Sequence, residues 1–196
     1  MAERLVYLVR HGAYGPEGNH DPKLGYGLTV LGVKQARATA KRFKNLPVTA
    51  IHASSALRAA ETAAIIAEQM PQVPFRTTSM LCEAMPCVPR GVTLNPAEWP
   101  TKGITRDHKR AEKALERYFK RAQGEDKHDV IVAHGNIIRY MICRLLNVDA
   151  TVWASLDMCN CGISVILIRQ DGVKILLCHN DLGHLPNQLR RYLSRT

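Results

Sequence analysis

The sequence predicts an α/β fold: a three-layer α/β/α sandwich around a mostly parallel sheet, with an antiparallel hairpin at one edge. Three observations predict it. Short apolar runs rich in β-branched residues alternate with longer segments of helical period, the order that gives parallel strands with helices on both faces. The runs are apolar almost throughout, as strands buried on both sides are. Two such runs near the end flank Gln170-Asp171-Gly172, and Asp-Gly is a type I′ hairpin signal.

Leu5-Val6-Tyr7-Leu8-Val9 is the first strand. Residues 13–27 hold four glycines and two prolines and read as a long loop, a place where function concentrates. A helix follows over 32–44, stopped by Asn45-Leu46-Pro47. Residues 50–53 form a second strand, and Ser54 or Ser55 can cap an alanine-rich helix over 57–69. The four prolines within 86–100 mark a loop. The helix over 107–122 is amphipathic, with Ala111, Ala114, Leu115, Tyr118, Phe119 and Ala122 on one face. Val130-Ile131-Val132-Ala133 is a buried strand, and an apolar helix over 137–146 follows His134-Gly135-Asn136. Strands at 163–168 and 173–177 make the hairpin. There is no internal repeat, and the expectation is one domain over 1–196.

Hydrophobic residues make up 46% of the chain, enough for a core without staples. No apolar run reaches the roughly 20 residues that span a bilayer, and the N-terminus lacks a secretory h-region. No membrane partner and a cytoplasmic location are the expectations. Of the six cysteines, Cys143 and Cys178 sit in apolar runs and read as buried thiols. Cys159-Asn160-Cys161 is too tight for usual zinc spacing, so free thiols are expected. The formal net charge of +10 suits an anionic substrate, with most of it on a solvated face. Clusters at Lys109-Arg110 and Arg190-Arg191 are modest, and no nucleic-acid-binding pattern accompanies the charge, so no nucleic-acid partner is expected. Assembly is open, a homodimer included.

Three strand ends deliver polar groups abruptly: Arg10 and His11, then Ser54 with Arg58 a turn onward, then His134. Ligands in open α/β sheets bind beyond the carboxyl ends of strands, so these groups should meet in one crevice. Guanidiniums match phosphate oxygens in bidentate fashion. One imidazole can attack phosphorus while the other donates to a nonbridging oxygen. A helix opening near Asn136 offers free N–H groups to an anion, and Gly12 and Gly135 allow close approach. Arginines would take the place of a metal, and no carboxylate cluster with metal-ligand spacing accompanies them. Singly, each residue has a plainer reading: a structural histidine, an exposed arginine, a strand-to-helix turn. Jointly, at three strand ends, the plain readings lose weight.

Four ordered segments then carry a resemblance: Leu8-Val9-Arg10-His11-Gly12; Leu28-Thr29 with Gly32, Gln35 and Ala36; Ser54 through Arg58-Ala59-Ala60-Glu61-Thr62-Ala63; and Ala133-His134-Gly135-Asn136. Together they resemble the histidine phosphatase, or phosphoglycerate mutase-like, superfamily. Leu81-Cys82-Glu83-Ala84-Met85-Pro86, Tyr14 and the helix from Asn136 through Arg144 resemble its protein serine/threonine phosphatase branch. The resemblance implies a metal-independent phosphatase without cofactors, acting on a phosphoprotein or a small phosphate ester. It implies His11 as the nucleophile that becomes phosphohistidine and Glu83 as proton donor and then base. Arg10, Arg58 and His134 would hold the phosphoryl group, with Gly12, Tyr14, Gly135 and Asn136 around it. The entrance would be lined by the loop after His11 and by the 86–100 loop with Trp99. That branch's membrane segment and multimerising motif are not visible, so mitochondrial anchoring is not expected. The alternatives are a phosphoglycerate mutase and a non-catalytic phosphate-binding or scaffolding module. Gly15 and Pro16, where mutases place a Ser or Thr before Asn, count against the first, and the intact set of ionisable residues against the second.

Overall fold

The computed structural model describes residues 2–93, 95 and 101–190. In chain order the elements are β1 (Arg4–Arg10), β2 (His20–Asp21), β3 (Gly25–Tyr26), α1 (Val30–Phe43), β4 (Ala50–Ser54), α2 (Leu57–Ala67), β5 (Phe75–Thr78), α3 (Thr101–Tyr118), β6 (Lys127–Ala133), α4 (Gly135–Leu145), β7 (Ile163–Ile168) and β8 (Lys174–Asp181). Short 3₁₀ turns occupy Ser79–Leu81, Ala150–Ser155 and Asn187–Leu189.

The main sheet has the order β5-β4-β6-β1-β7-β8. Its first four strands are parallel, and β7 and β8 complete it antiparallel. The predicted sandwich with its edge hairpin is the observed architecture. Successive residues of the central strands feed opposite layers. Val6, Leu8, Ile131 and Ala133 pack with α3 and α4, whereas Tyr7, Val9, Val130 and Val132 pack with α1 and α2. That two-sided burial is why these strands are apolar without alternation. Each fully buried aliphatic side chain contributes about 1.5–3 kcal/mol.

Several local details differ from the sequence reading, each for a visible reason. Helix α1 begins at Val30 because Thr29 Oγ1 accepts from the Gly32 N–H at 3.2 Å. Neither serine caps α2. Ser54 Oγ instead accepts from the N–H of Ala56, the residue before the helix, at 3.2 Å. Helix α3 runs from Thr101 to Tyr118 rather than over 107–122: Ala111, Ala114 and Tyr118 of the expected face are buried, Leu115 is half-buried, and Phe119 and Ala122 are buried beyond its end. Strand β5 was not anticipated: its Phe-Arg-Thr-Thr sequence lies at the sheet edge, where partial exposure suits polar residues. The hairpin turn is not type I′. Gly172 alone has positive φ (90°), its N–H donates to Arg169 O at 2.9 Å, and the Arg169 N–H donates to Val173 O at 2.9 Å. That is the three-residue hairpin, in which Asp171 Oδ1 accepts from the Val173 N–H at 3.0 Å. All six cysteines are free. Cys143 is buried, Cys178 is only half-buried, and Cys159 and Cys161 are buried with Leu182 and Leu185.

The described part of the 86–100 loop packs on the 3₁₀ turn at Ala150–Ser155: the Arg90 N–H donates to Thr151 O at 2.8 Å, and Trp153 Nε1 to Cys87 O at 3.1 Å. Trp99 and Arg191 lie outside the described residues.

The end of β1 sits tightly against the start of α1. A Cβ on Gly32 would lie 1.9 Å from the Ala13 carbonyl oxygen, and one on Gly12 would lie 2.8 Å from that of Gly32. The contacted atoms are backbone and cannot swing away. Gly32→Ala is therefore expected to lower stability by about 1–3 kcal/mol, the usual range for overpacking. An unchanged midpoint in urea unfolding would contradict this close fit.

Candidate active site

The site follows from strand register. β1 pairs with β6 in parallel so that Arg10 lies beside Ala133, and the next residues, His11 and His134, emerge side by side. β6 also pairs with β4 so that Val132 lies beside Ala53, which brings Ser54 level with the end of β6. The two imidazole centroids are 5.0 Å apart, and His11 and His134 are both buried, at 2% and 0% exposure. Helix α2 leaves β4 after a short turn and carries Arg58 to the pair.

Arg58 bridges the two rings. Its Nε–H donates to His11 Nε2 at 3.2 Å, and its Nη2 donates to His134 Nδ1 at 3.1 Å. Because a guanidinium only donates, both contacted ring nitrogens must be acceptors. Each imidazole is then neutral with its proton on the other nitrogen. His11 Nδ1 donates to its neighbour's carbonyl, Gly12 O, at 2.8 Å, and His134 Nε2 donates to Ser54 Oγ at 2.8 Å. Ser54 in turn donates to Cys82 Sγ at 3.3 Å. Burial, then the neighbouring His134, Arg10 and Arg58, hold His11 well below the usual imidazole range. Burial, Arg58, Arg10 and Arg110 push His134 down to about 3.

Arg10 enters from the other side. Its Nη1 donates to Met158 O at 2.6 Å, while its buried Nε–H has no partner. An unmet donor of this kind costs about 1–3 kcal/mol, which a bound anion can offset. Tyr14 flanks the cluster: its ring meets His11 edge-on at 5.0 Å, and the Arg58 guanidinium lies 4.5 Å from its centroid. The structure thus brings together Arg10, His11, Tyr14, Arg58 and His134, as expected.

Glu83 joins them in an unexpected way. Its carboxylate sits on the N-terminus of α4, accepting from Asn136 N at 3.4 Å and Ile137 N at 3.2 Å, and from Ala84 N at 3.0 Å. The amides expected to meet phosphate directly are therefore turned to Glu83. The residue keeps solvent access, yet partial desolvation of its carboxyl by the crowded site raises the pKa above the ordinary value, against the pull of those amides and of Arg10. The Asn136 side chain accepts from Arg139 Nη2 instead of facing the pocket. Gly12 also differs from the expectation. Its close approach is to Gly32, and its N–H donates to Thr62 Oγ1 at 3.0 Å. A Cβ on Gly135 would make only ordinary contacts with Arg10, the nearest being Nε at 3.6 Å.

Residues 6–181 match the sequence profile of the histidine phosphatase superfamily (branch 1). The chain belongs to that superfamily. It is 36% identical over 195 residues to the mitochondrial serine/threonine-protein phosphatase Pgam5 of Caenorhabditis elegans, covering 94% of this chain and 65% of that protein. The human PGAM5 protein is 32% identical over 192 residues, with 94% of this chain and 65% of the relative covered. The chain thus spans a little under two thirds of the length of these curated relatives. A phosphoglycerate mutase structure from Plasmodium falciparum superposes with a TM-score of 0.67 at 29% identity, covering 95% of this chain and 96% of that one. The expectation of a cytoplasmic location is corrected by these findings, since both curated relatives are named as mitochondrial.

Some supports of this candidate site carried little signal in the sequence. Thr62 Oγ1 accepts from Gly12 N and donates to Arg58 O at 2.7 Å, locking the His11 strand end to α2. Its only signal was its place in the segment from Arg58 to Ala63. Asn160 Nδ2 donates to His11 O at 3.0 Å. Arg110 of α3 donates to Cys82 O at 2.5 Å and Glu83 O at 2.8 Å, and its neighbour Asp107 accepts from Met85 N at 3.0 Å. This pair clamps the loop that carries Glu83, across a sequence distance at which no local pattern operates.

Two imidazoles buried in neutral form make stability depend on pH. Each takes up a proton near 6.5 when unfolded but resists it when folded, so the unfolded state binds more protons below that pH. Stability should be full above about pH 6.5 and fall below it, by at most about 1.4 kcal/mol per pH unit for each ring. Urea unfolding at pH 7.5, 6 and 5 measures this, and a flat profile over that window would refute neutral burial. Arg110→Met should speed hydrogen exchange at the Ala84 and Met85 amides by about 10-fold, the loss of roughly one hydrogen bond's stabilisation.

Proposed function

We propose that this chain hydrolyses phosphomonoesters through a phosphohistidine on His11, without a metal ion. The observation that carries this reading is the hydrogen-bonded set around His11. Gly12 O holds the Nδ1 proton, so that Nε2 keeps its lone pair facing Arg58 and His134. Depression of the His11 pKa keeps that lone pair available at neutral pH.

In the first step His11 Nε2 attacks phosphorus, the bond to the ester oxygen breaks, and the protonated Glu83 carboxyl gives its proton to the departing oxygen. The raised pKa of Glu83 suits it to hold that proton. Arg58 and Arg10 share the phosphoryl charge, Arg10 through the Nε–H that otherwise lacks a partner. A dianion beside His134 offsets the cations that depress it, so that His134 takes up a proton and donates to a phosphoryl oxygen. In the second step Glu83, now a carboxylate, removes a proton from water, the water oxygen attacks phosphorus, and the P–N bond breaks. Neutral His11, protonated Glu83 and inorganic phosphate result.

A phosphoprotein is the substrate we favour, because the relatives at 32–36% identity bear serine/threonine-protein phosphatase names. The mutase alternative rests on likeness to a solved mutase and has no counterpart among those relatives' names.

His11→Ala should abolish turnover of p-nitrophenyl phosphate and prevent the trapping of phosphohistidine. Wild-type rates in that variant would end this mechanism. Glu83→Gln should slow hydrolysis of phosphoserine peptides by about 100-fold or more, while p-nitrophenyl phosphate, whose leaving group needs little help, loses far less. The alkaline limb of kcat/KM, where Glu83 loses its proton, should flatten in the same variant. Equal losses on both substrates would remove Glu83 from the acid role.

A further inference from the structure

Part of the +10 charge has a defined location. Lys102, Arg106, Lys109 and Lys113 are spaced by four, three and four residues, which puts them on one face of α3, and all four are exposed. They line a cavity of about 690 Å³ whose other wall is formed by Thr78 at the end of β5 and Met80 in the 3₁₀ turn that follows. Among the described residues no acidic side chain lines it. Among the described residues no ion pair uses the three lysines, and Arg106 has only a 3.7 Å contact to Asp107. The acids of α3 are turned elsewhere. Asp107 serves Arg110 and Met85, Glu112 serves Tyr140 and Arg144, and Glu116 lines a separate cavity beside Arg144. Like charges at this spacing repel, so the stripe weakens its own helix until an anionic partner covers it.

The groove also leads somewhere. Arg110 lines it and simultaneously holds the carbonyls of Cys82 and Glu83. One end of the basic groove therefore abuts the loop that carries Glu83. We propose that this groove docks an acidic stretch of the polypeptide substrate, displaced along the chain from the phosphorylated residue in the active site. The inference rests on the phosphatase reading and narrows its substrate class to phosphoproteins with an acidic segment. From Lys102 to Lys113 the stripe runs about 16 Å at the helical rise, enough for about five residues of extended chain. β5 is the outermost strand of the sheet, so an extended segment can lie along it. Among the described residues the groove, unlike sites for single-stranded nucleic acid, offers no aromatic side chain for bases to stack on. Its concavity fits a chain better than a flat anionic membrane.

The test uses the full chain and a fluorescent, unphosphorylated Asp/Glu-rich peptide, followed by anisotropy. The triple variant Lys102→Ala, Lys109→Ala, Lys113→Ala should bind it about 10-fold more weakly, the sum of three modest exposed charge contacts. A charge-matched control, Lys34→Ala, Arg37→Ala, Lys41→Ala, alters a second basic stripe on α1, across the sheet, and should bind like wild type. Both variants should keep wild-type rates on p-nitrophenyl phosphate. Only the α3 variant should lose, through KM, the preference for a phosphopeptide with an acidic flank over one with an alanine flank. Unchanged peptide binding in the α3 variant, or equal loss in the control, overturns the proposal. So does a single-stranded oligonucleotide or a phosphatidylserine vesicle that displaces the peptide and depends more strongly on the same lysines. If the wild type fails to hydrolyse p-nitrophenyl phosphate, the phosphatase reading falls, while the anisotropy measurement, which needs no turnover, still decides whether the groove binds acidic chains.

Discussion

The parallel pairing of β1 with β6 is the constraint on which the rest of this protein depends. With Arg10 beside Ala133, the two histidines leave the sheet at the same level and in contact. A shift of one residue would turn every side chain of a strand to the other face and exchange its partners in the two apolar layers. The register is held by those layers, because alternate residues of β1 and β6 are committed to α3 and α4 on one side and to α1 and α2 on the other. The core is therefore also the device that sets the distance between His11 and His134.

A second economy lies in Arg58. One guanidinium satisfies a lone pair on each imidazole and is held over the Tyr14 ring. Holding two half-buried cations beside two buried histidines is costly, and the site lowers that cost by keeping both rings uncharged. Their protons go to Gly12 O and to Ser54, so the tautomers are assigned by hydrogen bonds and not left to the solvent. Glu83 is the compensating carboxyl. Partial desolvation raises its pKa, yet it sits on the α4 amides that can steady its charged form. A carboxyl pulled both ways suits the acid-then-base role we propose for it.

Much of this was legible in the chain. The strands declared themselves because a two-sided layer needs uninterrupted apolar residues, and the polar groups that follow them stand out for the same reason. Arg10, His11, Arg58 and His134 can be placed together from the chain alone, since sheet topology directs strand ends to one crevice. Less legible were features with no local period. β5 is an edge strand of polar residues. The start of α3 follows a segment with no amphipathic repeat. The hairpin turn has Asp-Gly, yet only its glycine takes positive φ, because Asp171 is occupied with the Val173 N–H. The cytoplasmic expectation, drawn from the absence of any visible targeting segment, was overturned by mitochondrial relatives.

By itself the sequence determined the layer architecture, the strands and helices that matter, and the cationic and imidazole groups available for an anion. Those properties reside in hydrophobic period and residue chemistry, which act locally. Only the tertiary structure decided which backbone groups were already spoken for. It assigned the α4 amides to Glu83, the Gly12 contact to Gly32, the Ser54 hydroxyl to His134, and the Asp107–Arg110 pair to the Glu83 loop. These partners lie tens of residues apart and pair by geometry after the sheet has formed, so no window of sequence contains both halves of the interaction.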